Sequence, residues 1–118
     1  MIQEHKHGPI YVGNFVANWA ANVILFRRTN ATDNTWFANS ITIRQIVTNN
    51  AAQDIVVEVV NPSNTVTTLQ TVNLPANTTL ITIPLNNLAI PRNHTLVVRG
   101  TSNNSNAPAN VDVNVRLL

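Results

Sequence analysis

The five carboxylates of this 118-residue chain are Glu4, Asp33, Asp54, Glu58 and Asp112, and no two of them make a close pair on a shared face. General acid–base work needs such groups within reach of one reacting atom. Glu58 lies among valines in a strand-like run, where an exposed or interface position suits it better than the role of a tuned acid. His5, His7 and His94 add bases, and a Ser/His/Asp set can be drawn from any such list. No nucleophile motif frames one, so no enzyme activity is expected. Glu4, His5 and His7 have a spacing that suits a divalent ion, but a solvated terminal arm is the plainer reading. Neither a metal nor a cofactor is expected. The chain has no cysteine, which rules out disulfides, thiolate catalysis and zinc–thiolate sites.

The basic residues are Lys6, Arg27, Arg28, Arg44, Arg92, Arg99 and Arg116, spread along the chain with one adjacent pair. A nucleic-acid surface needs clustered cations with stacking aromatics between them, so the pI near 10 reflects few acids, and no nucleic-acid partner is expected. Asn-x-Ser/Thr sequons begin at Asn30, Asn77, Asn93 and Asn103, as expected by chance in a chain with 20 Asn and 14 Thr. All six aromatics (Tyr11, Phe15, Trp19, Phe26, Trp36 and Phe37) fall in the first third. Core and N-terminal packing is their plainest use; intersubunit contact and a glycan platform are the alternatives. The opening MIQEHKHGPI is polar with no apolar segment behind it, so a secretory leader is not expected. No run approaches the ~20 apolar residues of a membrane span, and no membrane partner is expected.

What must position these groups is a set of short β-branched runs closed by Asn/Pro turns. The stretch from Gln53 to Arg99 holds four of them. Before it, residues 9–12 form a short extended segment that Gly13-Asn14 breaks. Residues 15–22 form an irregular approach, and residues 23–28 the first core strand. Trp36 and Phe37 begin a short strand leading through Asn39 into residues 40–48, where Ile41, Ile43, Gln45 and Val47 share one face. Residues 55–60 are apolar on both faces, so this strand is either central or meets another molecule. Asn61-Pro62-Ser63-Asn64 fits a type I turn, and Asn77 is the natural left-handed residue of the next turn. Pro84 and Pro91 bracket a connection, since neither donates to a ladder. The last strand alternates Val111, Val113, Val115 and Leu117 with Asp112, Asn114 and Arg116. About eight strands and no long helix make an all-β, eight-stranded antiparallel jelly-roll β-sandwich with a flexible N-terminal arm the economical fold.

The order of VANWAANVILFRRTNATDNTWFANSITIRQI, IVVEVV, TVTTLQTVNLPANTTLITIPLNNLAI and VDVNVRLL resembles that of endospore appendage (Ena-type) fibre subunits. The similarity covers residues 14–118 and is one of pattern. It implies a jelly-roll domain over residues 14–118 and a connector arm over residues 1–13 that docks into neighbouring subunits, with Ile10, Tyr11 and Val12 of the arm and Phe15 just beyond it as the docking residues. It further implies a helical homopolymer on the spore or cell surface, with the chain itself as partner and a spore coat or exosporium protein as anchor. Assembly in the mother cell would require no signal peptide. The departure is the missing cysteine: family connectors cross-link through cysteine, so a fibre of this chain would rest on strand augmentation and apolar contact. A carbohydrate-binding or adhesive module and a virion or decoration protein are the alternatives.

Overall fold

Alternation along the last strand sets the pattern of the whole molecule. Val111, Val113 and Val115 are buried, while Asn110 and Asp112, which alternate with them, face out. The same period of two buries Ile41, Ile43 and Gln45 in one strand and Leu96 and Val98 in another. The computed structural model describes residues 9–16, 19, 22–45, 52–101 and 109–117. It contains eight strands: β1 (Pro9–Val16), β2 (Ile24–Thr29), β3 (Trp36–Gln45), β4 (Gln53–Val60), β5 (Val66–Leu74), β6 (Leu80–Ile90), β7 (Thr95–Gly100) and β8 (Ala109–Leu117).

The strands form two four-stranded sheets, sheet A in the order β1-β8-β3-β6 and sheet B in the order β2-β7-β4-β5, with every neighbour antiparallel. This is the jelly-roll sandwich expected from the sequence. The core lies between the sheets and is built from Leu25, Ile41, Ile43, Ile55, Val57, Leu74, Ile83, Ile90, Leu96, Val98 and the β8 valines. The doubly apolar β4 is an interior strand, flanked by β5 and β7. Its outward Val56 is shielded within the subunit itself.

Three local readings of the sequence are corrected. β1 continues through Gly13 and Asn14 to Val16, because β8 supplies a full ladder partner for every residue from Pro9 to Val16. The sandwich thus includes residues 9–13, and a boundary between 13 and 14 falls inside a strand; residues 1–8 lie outside those described. β3 is one strand with a bulge at Asn39, where the register shifts between Ala38 and Ser40 against both neighbours. β6 passes straight through Pro84, which an edge strand tolerates. The irregularity sits after it: residues 85–87 bulge opposite the single Asn39, with Asn86 and Asn87 both left-handed.

Asparagine supplies every left-handed position among the described residues. Asn22, Asn64, Asn77, Asn86, Asn87 and Asn93 have φ between 54° and 66°, and neither described glycine, Gly13 or Gly100, has positive φ. The short amide side chain bonds locally and tolerates this region better than other L-residues do. Asn61 closes the β4–β5 hairpin as expected: its carbonyl accepts from Asn64 N at 2.9 Å, and its side-chain oxygen accepts from Ser63 N and Thr65 N. The Asn-rich composition is thereby tied to the turns and bulges of a jelly roll with few glycines.

Candidate assembly interface

Among the described residues the carboxylates do not converge, and Glu4, His5 and His7 lie outside those residues. Asp33 pairs with Arg92 at 3.0 Å on an exposed corner, and Asp54 and Asp112 lie exposed on separate sheets. Among the described residues no group of three His, Cys, Asp or Glu side chains gathers to hold a metal. Glu58 is paired instead: Arg99 donates to it twice, Nε to Oε1 at 3.1 Å and Nη2 to Oε2 at 3.2 Å. Its hydrogen bonding to the Glu58 carboxylate holds the Arg99 guanidinium above its usual pKa, against a smaller opposing effect of burial. On the outward face of sheet B, Arg99 lies opposite Val56 and Glu58 opposite Val97. The ion pair therefore spans one diagonal of a four-residue square and the two shielded valines occupy the other.

Among the described residues, one sequon asparagine and several aromatics have structural roles. Asn30 is buried, and its amide donates to Asn34 O and Ile90 O, each at 2.8 Å, while its Oδ1 accepts from Thr32 N and Thr32 Oγ1. This side chain latches the β2–β3 loop onto the end of β6. Trp19 is fully buried against Gly100, and Phe26 is buried in the core. Trp36 packs against the core from its margin. Phe15, at 57% exposure, is the large aromatic that projects into solvent among the described side chains. Of the four docking residues read from the sequence, Ile10, Tyr11, Val12 and Phe15 all lie on β1, in register with Val115, Asn114, Val113 and Asn110 of β8. Val12 faces the core and Phe15 faces out.

The informative surface is the set of four sheet edges, which no single stretch of sequence reveals because it depends on strand order. Two hydrogen bonds show how the edges group. Asn14 Nδ2 donates to the Leu25 carbonyl at 2.6 Å, joining β1 to β2 along one side of the sandwich. Gln70 Nε2 donates to the Pro84 carbonyl at 3.1 Å, joining β5 to β6 along the other. Among the described residues the exposed large apolar side chains are Phe15, Ile24, Val66, Leu69 and Leu80, and all five belong to these edge strands.

The edges differ in protection. β6 carries Pro84 and the bulge at 85–87, and β2 carries the exposed Arg27 and Arg28. Proline, bulges and charge are the devices that discourage edge pairing. β5, with the sequence VTTLQTVNL, has neither charge nor proline, and only a one-residue bulge at Leu69 interrupts it.

No protein-family model matches the chain, and no curated protein sequence matches it. Among solved structures, the Triatoma virus empty capsid is similar with a TM-score of 0.52 at 11% identity, covering 98% of this chain and 89% of that one. A Podospora anserina GH26-CBM35 β-(1,4)-mannanase (TM-score 0.49, 12% identity) and a family two carbohydrate esterase from Clostridium thermocellum (TM-score 0.49, 17% identity) match 95% and 94% of this chain. This chain spans only 28% and 32% of their respective lengths. The capsid likeness agrees with the jelly-roll architecture and extends no further than the fold.

Proposed function

We propose that this chain is a structural, self-assembling subunit of an extracellular protein fibre, joined by β-sheet augmentation between copies. The observation that carries the proposal is the placement of the exposed large apolar side chains on edge strands, together with the uncharged edge of β5. A protein selected to stay monomeric covers or charges such edges, and net charge of +2 adds little repulsion between copies. The resemblance to endospore appendage subunits supports a spore-surface location, with residues 1–8 as a connector into the neighbouring subunit. No catalytic role belongs to this proposal.

A carbohydrate-binding module would present exposed rings together, and the burial of Trp19 and the packing of Trp36 weigh against those two as a platform. A virion or decoration subunit would use the same edges to build closed shells. Negative-stain microscopy and light scattering of the purified full chain decide between these. Filaments are expected, shells would favour the virion reading, and a monodisperse monomer at all concentrations would overturn assembly. Because β1 begins at Pro9, the arm deletion that spares the sandwich ends at residue 8. Fibre growth is expected to fall with that deletion while the fold stays intact.

A further inference from the structure

We infer that β5 pairs with β5 of a second copy, antiparallel about a two-fold axis, so that sheet B of one subunit runs on into sheet B of its partner. The inference rests on the assembly reading above and names the contact that reading leaves open.

β6 lacks an amide donor at Pro84 and loses its ladder geometry at 85–87. β2 has only residues 26–29 in regular register after its irregularity between Ile24 and Phe26. It also carries Arg27 and Arg28, neither in an ion pair among the described residues. From Val66 to Leu74 there is no carboxylate, so β5 laid on β2 would desolvate two guanidinium groups with no counter-charge. β1 has Gly13 at its middle, where a side chain to pack is missing. β5 itself is neutral and runs regularly from Gln70 to Leu74 beyond the bulge.

Register then selects the pairing. Gln70, Val72 and Leu74 lie opposite Val57, Ile55 and Gln53 of β4, all buried, and so face the interior of the sandwich. Thr71 and Asn73 lie opposite Val56 and Asp54 and face outward. An antiparallel two-fold through Val72 sets Thr71 against Asn73 of the partner subunit and Gln70 against Leu74 of the partner subunit. Inward positions then meet inward positions, as a continuous sheet requires. The contact is isologous and self-complementary, the commonest geometry for homo-oligomers. It leaves the β1/β2 side, with Phe15 and Ile24 exposed, free for the second contact by which such dimers would extend into a chain.

The chain has no native cysteine, so introduced thiols report this contact alone. Thr71→Cys and Asn73→Cys are made separately, mixed and mildly oxidised. In the inferred register the two Cα atoms are directly opposed, at about 4.5–5.5 Å, within disulfide reach. Two copies of Thr71 are diagonal neighbours, at about 7–8 Å, beyond it. The mixed heterodimer is expected in several-fold excess over either homodimer. Assembly without that excess, or cross-linking of Thr71→Cys to Phe15→Cys instead, overturns the β5–β5 contact and leaves the assembly reading standing. A monomer throughout overturns both. As an independent check, Thr71→Lys places two like charges beside the axis; it is expected to remove the β5–β5 association and so shorten the assemblies seen by light scattering, with the fold intact by circular dichroism. A Thr71→Lys chain that assembles as the wild type does overturns the inference.

Discussion

The indole of Trp19 occupies the space above Gly100: a methyl group at residue 100 would lie 2.5 Å from Trp19 Nε1 and 2.9 Å from Cε2 and Cζ2. The absence of a side chain at the end of β7 is therefore what lets the ring close that end of the sandwich. Gly100→Ala is expected to destabilise the fold by about 1–3 kcal/mol, the usual cost of overpacking a rigid site. Urea denaturation measures this, with a red shift of tryptophan emission as the ring is displaced. Unchanged stability and emission would show that Trp19 does not need the glycine.

The Asn30 latch supports a second expectation. Asn30→Ala removes both amide donors and leaves the buried Ile90 carbonyl without its side-chain partner. Leaving a buried polar group unpaired costs about 1–3 kcal/mol. Asn30→Asp is expected to cost more than Asn30→Ala, because it sets a carboxylate against two carbonyl oxygens. Thermal unfolding of both variants tests the order, and equal melting temperatures for wild type and Asn30→Asp would remove the latch from the account.

Much of the fold was legible because burial on one face leaves a period of two in the sequence, and β3 and β8 carry it clearly. The errors share one physical origin: tertiary pairing overrode local propensity. Gly13 and Asn14 are poor strand formers, yet β8 holds them in register from both ends. Pro84 reads as a strand end, yet at an outer edge its missing donor costs no ladder bond. The bulge at Asn39 and that at 85–87 face each other, and neither is visible in its own stretch alone. The candidate interface was least legible. Which strands become edges follows from sheet order, so the sequence left β4 either central or in contact with another molecule, and did not single out β5.

The left-handed asparagines give a third expectation. At Asn64 and Asn77, replacement by Ala puts a Cβ into a region that costs an L-residue about 1–2 kcal/mol. Replacement by Gly is expected to be near neutral, since relief of that strain opposes the larger entropy of the unfolded glycine chain. Equilibrium denaturation of the Ala and Gly variants at each turn should separate them in that order. Ala and Gly variants of equal stability would mean the turns relax to another backbone conformation.

The Glu58–Arg99 pair supplies the last expectation. Arg99 is one-third exposed and Glu58 nearly buried, which limits their coupling to about 1 kcal/mol, toward the top of the range for solvent-accessible pairs. A double-mutant cycle with Glu58→Ala and Arg99→Ala measures it. Either single substitution should also uncover Val56 and Val97, so the cycle is needed to separate charge from packing. The pH dependence has a definite sign. Arg99 has a raised pKa in the folded state, so the stability it contributes is fully present below its unfolded pKa and is lost only as pH rises through the higher folded value. The Arg99 contribution should therefore be flat from about pH 6 to about pH 10, well below the guanidinium range. Stability of wild type and Arg99→Ala measured across that window should differ by a constant amount. A difference that shrinks before pH 10 would mean that groups other than Arg99 control the pair.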